Sequence, residues 1–318
     1  MFFKMVRIIF LSGIAAFLLF IVIAISSGPL KQEKLVVLNR GSTKNVARIL
    51  QQEGVIYNAK VFWIFAQVGK FFGPIKAGEY VFAPHISNFD IIRKMQQEDV
   101  FVRKMTIPEG YTTAQIINAL KKEEKLSGDI NENYEEGDLL PETYFYIYGE
   151  TKSQMLDKMA VSMREILDDL WKKRNKEVQL KSKKEALVLA SIVEKESKLD
   201  EDRPKIASVF LNRLKKGMKL EADPTTIYAI TKGAYVLERP LTKKDLRIDS
   251  PFNTYKYKGL PSTPIANPGI ESLIAVLNPI ETNYLYFVVA DCEGRHNFSS
   301  NMQQHNKNVA IYRKLRCS

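Results

Sequence analysis

Between Ile8 and Ile25 nearly every position is apolar (IIFLSGIAAFLLFIVIAI), and no charge occurs from Ile8 to Leu30. Eighteen residues at ~1.5 Å each extend about 27 Å, close to the hydrocarbon thickness of a bilayer. Only Ser12 and Gly13 break the run, so no polar face exists for a soluble helix. A cleaved signal peptide competes with an anchor, because Ala24-Ile25-Ser26 loosely resembles a cleavage site. The apolar run exceeds a usual signal core, which favours an uncleaved membrane helix. Lys4 and Arg7 precede it without an acid among them and place the N-terminus in the cytoplasm. Lys31, Lys34 and Arg40 weaken that asymmetry, but a large C-terminal domain translocates largely regardless. Residues 31–318 are therefore expected outside the membrane, on the periplasmic or extracytoplasmic side.

Beyond the helix a single design recurs. Ser42 precedes Val46 and Leu50, Ser87 precedes Ile91 and Met95, and Thr112 precedes Ile116 and Leu120. In each case a capping hydroxyl stands four and eight residues before apolar positions that share a helical face. Strand-like stretches, Lys34–Leu38, Glu79–Phe82 and Arg103–Ile107, come before or between the caps. The first unit continues through an amphipathic helix, Tyr57–Phe72, then Gly73-Pro74 and GEYVF. This strand–helix–helix–strand order resembles a LysM-type glycan-binding module; a small α/β spacer that binds nothing fits the pattern equally.

Met155, Met159, Met163, Ile166 and Leu170 predict one long solvated helix over Lys152–Lys184. In EALVLASIVEKESKLDEDRPKIASVFLNRLKKG, Leu187, Ala190, Ser191 and Glu194 share a helical face. Glu194 thus stands at the edge of an apolar stripe, where desolvation would keep its carboxyl protonated for general acid and then base work. On periodicity alone the simpler reading, that Glu194 opens a solvated tail, carries more weight. Glu196 falls ~200° round the helix, poorly placed to pair with Glu194. Asp202 is expected to cap the next helix, with Pro204 in its first turn and Gly217 after its end. Asp223-Pro224 and Asn267-Pro268 read as two further helix starts. The Pro-rich loop between them mixes Asn253, Thr254 and Tyr255, groups suited to a carbohydrate or to plain turn chemistry. Tyr284–Ala290 reads as a buried strand, and His296 and His305 as satisfied polar residues.

Composition narrows the classes. The 318 residues suggest about two domains, and 47 basic against 36 acidic side chains leave +11. That excess suits an anionic membrane face or a lysine-rich solvated surface; no basic patch interleaved with aromatics points to nucleic acid. Two cysteines, Cys292 and Cys317, and three histidines make a Cys/His metal site improbable. No cofactor is expected, and no disulfide is assumed.

LASIVEKES, LEADPTTIY, SPFNTYKYKGLPSTPIANPG, LNPIETNYLYFVV and HNFSSNMQQHNKNV, preceded by GDLLPETYFYIYGET, stand in the order of a known family. The chain resembles the MltG (YceG-like) endolytic murein lytic transglycosylases over nearly its whole length. The resemblance implies an α+β protein: a tail and transmembrane anchor over 1–30, a LysM-like module over 31–103 and a catalytic domain over 104–318. It implies a lyase that cleaves the β-1,4 bond between N-acetylmuramic acid and N-acetylglucosamine, terminating nascent strands with 1,6-anhydro ends. Glu194 is the implied general acid and base, with weaker substrate-binding roles for Glu196, Asp223, Thr225, Tyr228, Asn253 and Tyr255. Peptidoglycan strands, the membrane and peptidoglycan synthases are the implied partners. A lysozyme-like muramidase using water and a non-enzymatic wall tether are the competing readings.

Overall fold

The computed structural model describes residues 2–130, 134–197 and 199–314. The chain divides into two compact units, one of residues 1–104 with 145–150, the other of 105–144 with 151–318.

The first unit contains α1 (Phe2–Ile25), β1 (Lys34–Leu38), α2 (Thr43–Gln52), α3 (Ala59–Gly69), β2 (Gly78–Phe82) and α4 (Asn88–Gln96). The hydroxyls of Ser42 and Ser87 accept from the backbone three residues on and start α2 and α4 as anticipated. Asn58 starts α3 in the same way, and a turn of 3-10 helix, Lys70–Phe72, ends it. β1 and β2 pair antiparallel, from Lys34 opposite Phe82 to Leu38 opposite Gly78. Alternation sends Val36 and Leu38 inward against Leu50, Phe62, Tyr80, Phe82, Ile91 and Met95, which make this unit's core. Glu79 of β2 is buried and accepts from Arg103 Nη2 at 2.8 Å and Nε at 2.9 Å. Strands β3 (Val102–Thr106) and β4 (Thr143–Ile147) pair with each other, and the unit boundary falls within both.

The second unit is built round one helix. It contains α5 (Thr113–Lys122), α6 (Lys152–Lys173), α7 (Lys183–Glu196), α8 (Arg203–Lys215), α9 (Asp223–Thr231), α10 (Ile270–Leu277), β5 (Tyr286–Val289), β6 (His296–Ser299) and α11 (Met302–Tyr312). Every residue of α7 from Ala186 to Glu194 is buried, against α6, α8, α9 and α10. The helix is therefore central, and the amphipathic stripe expected of it does not exist. β5 and β6 form an antiparallel ribbon, with α11 against it.

Several local expectations are corrected. The helix expected to reach Lys184 stops at Lys173. Arg174 turns extended and donates to the Trp171 carbonyl at 2.6 Å, while the Asn175 amide donates to the Leu277 carbonyl at 3.0 Å. Asp202 stands at the start of α8 but makes no capping bond; its carboxylate accepts from the His296 amide at 2.9 Å and meets that ring's Nδ1 at 3.0 Å. Ala222, not Asp223, precedes α9, and Gly269, not Asn267, precedes α10. The β5 strand is half-buried throughout rather than buried. Cys292 is disulfide-bonded, and Cys317 lies outside the described residues.

Asn267 is instead an internal clamp. Its carbonyl oxygen accepts from the amides of Gly137 and Leu139, and its amide donates to the Tyr111 carbonyl at 3.0 Å. Asn267→Ala would leave those buried groups unpaired and is expected to destabilise the protein by about 3 kcal/mol in urea unfolding.

Candidate active site

The two glutamates near the end of α7 have opposite surroundings. The side chain of Glu194 is 4% exposed. Its Oε1 accepts from Arg203 Nη2 at 3.2 Å; its Oε2 accepts from the Gly269 amide at 3.0 Å and the Ser272 hydroxyl at 2.8 Å. The same buried guanidinium meets Glu109 at 3.1 Å and Asp200 at 2.5 Å. Burial, then the Glu194 charge, raises the Glu109 carboxyl, with Arg203 acting against both. A Cβ at Gly269 would fall 2.0 Å from a Glu109 oxygen, so a larger residue there would displace the Glu109 side chain. Glu194, expected at the edge of an apolar stripe, thus sits buried in a donor-lined socket.

Glu196 lies ~200° further round the helix. It is half-buried, and its carboxyl is pushed up to about 8, chiefly by burial and then by the charge of Asp223, with Arg213 pulling the other way. Tyr255 donates its hydroxyl to Asp223 at 2.6 Å, and burial followed by that charge holds the phenol well above its ordinary range. Arg213 is occupied elsewhere. Its guanidinium donates to the carbonyls of Leu285 at 2.6 Å, Lys219 at 3.1 Å and Leu220 at 2.9 Å, and to Glu221 at 3.1 Å. It also lies over the Tyr286 ring, which stacks on His305 at 5.0 Å. His305 Nδ1 is buried without a partner, contrary to the satisfied role expected, and burial lowers its pKa.

A third group centres on Glu136. Its carboxylate accepts from the Thr113 amide at 2.6 Å and from the Tyr228 hydroxyl at 3.2 Å, and burial raises it. Lys195 lies near enough to lower it again, while its own ammonium donates to the Gly110 carbonyl at 3.2 Å.

The residues expected to bind substrate therefore separate. Glu196, Asp223 and Tyr255 come together; Tyr228 belongs with Glu136. Thr225 is fully buried and bonds to Ala222 and Thr254, and Asn253 holds the Leu246 and Ile248 carbonyls. Both side chains are fully buried. Arg203 and Arg213 escaped the sequence reading, although a signal existed. With Ile206 and Phe210 between them they follow the three- and four-residue spacing of the buried α8 stripe, where an arginine demands a partner.

A cleft of 1160 Å³ lies at the other end of α7, lined among others by Ser182, Lys184, Asn212, Lys215, Pro261 and Thr282. Residues 259–262 of the Pro-rich loop border it, but none of the carboxyls with raised pKa does. Among the described residues no group of three or more His, Cys, Asp or Glu side chains is arranged to hold a metal ion.

A sequence model of the YceG-like family matches residues 35–311, and the chain belongs to that family. It is 34% identical over 297 residues to the endolytic murein transglycosylase of Bacillus subtilis, covering 84% of this chain and 81% of that protein. With the endolytic murein transglycosylase of Streptococcus pneumoniae it shares 27% identity over 85% of this chain, spanning 56% of the longer relative. The crystal structure of a yceG-like protein from Listeria monocytogenes matches with a TM-score of 0.53 at 32% identity, over 87% of this chain and 99% of that one.

Glu194→Ala would strand a buried guanidinium and two donors from the α10 start. It is expected to cost about 3–5 kcal/mol in thermal or urea unfolding.

Proposed function

We propose that this protein is a peptidoglycan lytic transglycosylase, a lyase, whose proton donor is Glu196, with Glu194 as the residue that positions the helix end. The observation that carries the assignment is the half-buried Glu196 carboxyl raised to about 8 beside Asp223 and Tyr255. A general acid must be protonated at working pH and must touch its substrate. The raised carboxyl of Glu196 and its partial exposure support that role, whereas the side chain of Glu194 is only 4% exposed and is tied to three donors.

In this reading Glu196 gives its proton to the glycosidic oxygen as the bond to C1 of the muramyl residue breaks. The charge of Asp223 is complementary to the positive charge that develops at C1. The Glu196 carboxylate then takes the proton of the C6 hydroxyl, whose oxygen attacks C1 and closes the 1,6-anhydro ring. The relatives named endolytic murein transglycosylases support cleavage within murein strands. The 23-residue helix Phe3–Ile25, apolar from Ile8 on, supports a single membrane anchor; in this reading the remaining chain lies outside, where nascent strands are accessible. The LysM-like element order of the first unit supports a glycan-holding role there.

Glu196→Gln is expected to lower strand cleavage by ~10²–10⁴-fold. Mass spectrometry of wild-type digests is expected to find anhydro ends, one water lighter than reducing ends; only reducing ends would identify a muramidase. Wild-type activity should fall as pH rises through about 8, as Glu196 loses its proton.

The same variant tests the titration through stability. The folded carboxyl keeps its proton to about 8, while the unfolded one releases it near 4.5, so wild-type stability falls between those values. Glu196→Gln escapes that loss. It should match wild type at about pH 4 and exceed it by about 2 kcal/mol at about pH 9, after discounting for partial exposure.

A further inference from the structure

The face of α3 turned toward α1 continues past their contact as a row of uncovered apolar side chains. Phe20 and Ala24, in the last turns of α1, pack against the core of their unit. The Phe20 ring meets Phe65 of α3 at 4.3 Å. Phe20 stands five residues before the end of α1, ~7–8 Å along its axis. If α1 crosses a bilayer, that contact lies at the outer margin of the hydrocarbon.

Phe65, Val68 and Phe72 recur at three and four residues and follow one face. Val68 is 47% exposed, Ile64 48%, Phe71 90% and Phe72 85%. A second contact lies ~4.5 Å further along α1, toward its C-terminal end. The Asn88 amide at the start of α4 lies 3.5 Å from the Ile23 carbonyl of α1, and the next residue, Phe89, is 53% exposed. Lys60 and Lys70 are exposed beside the apolar row, where long amphipathic stems can reach headgroups.

We propose that Ile64, Val68, Phe71, Phe72 and Phe89 insert into the interfacial layer of the leaflet from which the C-terminal end of α1 emerges. The occupant of this surface is lipid, and the argument for it is continuity with the membrane helix. An apolar row attached to a transmembrane helix at the depth of Phe20 has acyl chains as its nearest neighbours. Flanking lysines favour anionic headgroups. The first unit is then held flat on the bilayer by three supports, α1, the end of α3 and the start of α4, rather than swinging on a single tether. This proposal rests on the anchor reading of α1.

The test uses the full chain reconstituted in phosphatidylcholine–phosphatidylglycerol vesicles, with Trp63→Phe and Trp171→Phe so that Phe71→Trp supplies the sole indole. Lipids brominated near the headgroup end of the acyl chains are expected to quench it by roughly twofold or more, and aqueous iodide to quench it little. Vesicle flotation is measured on the same samples. Chain that floats while its indole is quenched by iodide and not by bromolipid overturns the docking and leaves the anchor standing. Chain that floats with an indole shielded from both quenchers also overturns it, in favour of a protein partner. Chain that does not float at all overturns the anchor reading itself, and the docking with it.

Discussion

The second unit depends on one buried guanidinium. Arg203 is almost withdrawn from water, and the cost of that is offset only because Glu194, Glu109 and Asp200 surround it. Glu194 passes the constraint onward through the Gly269 amide and the Ser272 hydroxyl, so that α7, α8 and the start of α10 share one polar joint. A helix buried on all sides has no amphipathic stripe to set its rotation about its own axis. This joint sets it. Rotation of α7 by even a fraction of a turn would pull Glu194 from three donors and leave Arg203 with exposed partners alone.

Fixing that rotation has a chemical consequence two residues later. Glu196, on the far side of the helix, must face Asp223 and the neighbourhood of Arg213. There the favourable charge is blunted, because Arg213 spends its donors on three backbone carbonyls and Glu221. Burial and the Asp223 charge prevail and the carboxyl is raised. Two glutamates of identical chemistry thus diverge by surroundings alone, one held as the acceptor in a closed socket, the other raised at a partly open surface.

Local structure was legible where a short-range interaction decides it. The caps Ser42, Ser87 and Thr112 act within three residues, and the helices they start lie where their spacing puts them. The family was legible too, because several motifs had to coincide in order. What escaped depends on partners far along the chain. Asp202 and Asn267 look like caps until His296 and the Gly137–Leu139 loop claim their side chains. The break after Lys173 is made by Leu277, about a hundred residues away. The choice between Glu194 and Glu196 is of the same kind. Periodicity set the two on opposite faces, but their different surroundings come from Arg203 on one side and Asp223 on the other.

The arrangement also bears on how many carboxyls the chemistry uses. In a paired-carboxylate glycosidase the second acid either forms a covalent intermediate or activates water across the sugar. Asp223 is tied at one oxygen by Tyr255, whose phenol is itself held protonated by burial and by that charge. A carboxylate so engaged is better suited to hold a fixed negative field than to advance as a nucleophile. One titrating group beside one fixed charge matches a reaction in which the substrate supplies its own attacking hydroxyl. In the proposed reaction one carboxyl serves first as acid and afterwards as base, and the raised Glu196 carboxyl is consistent with that pair of roles.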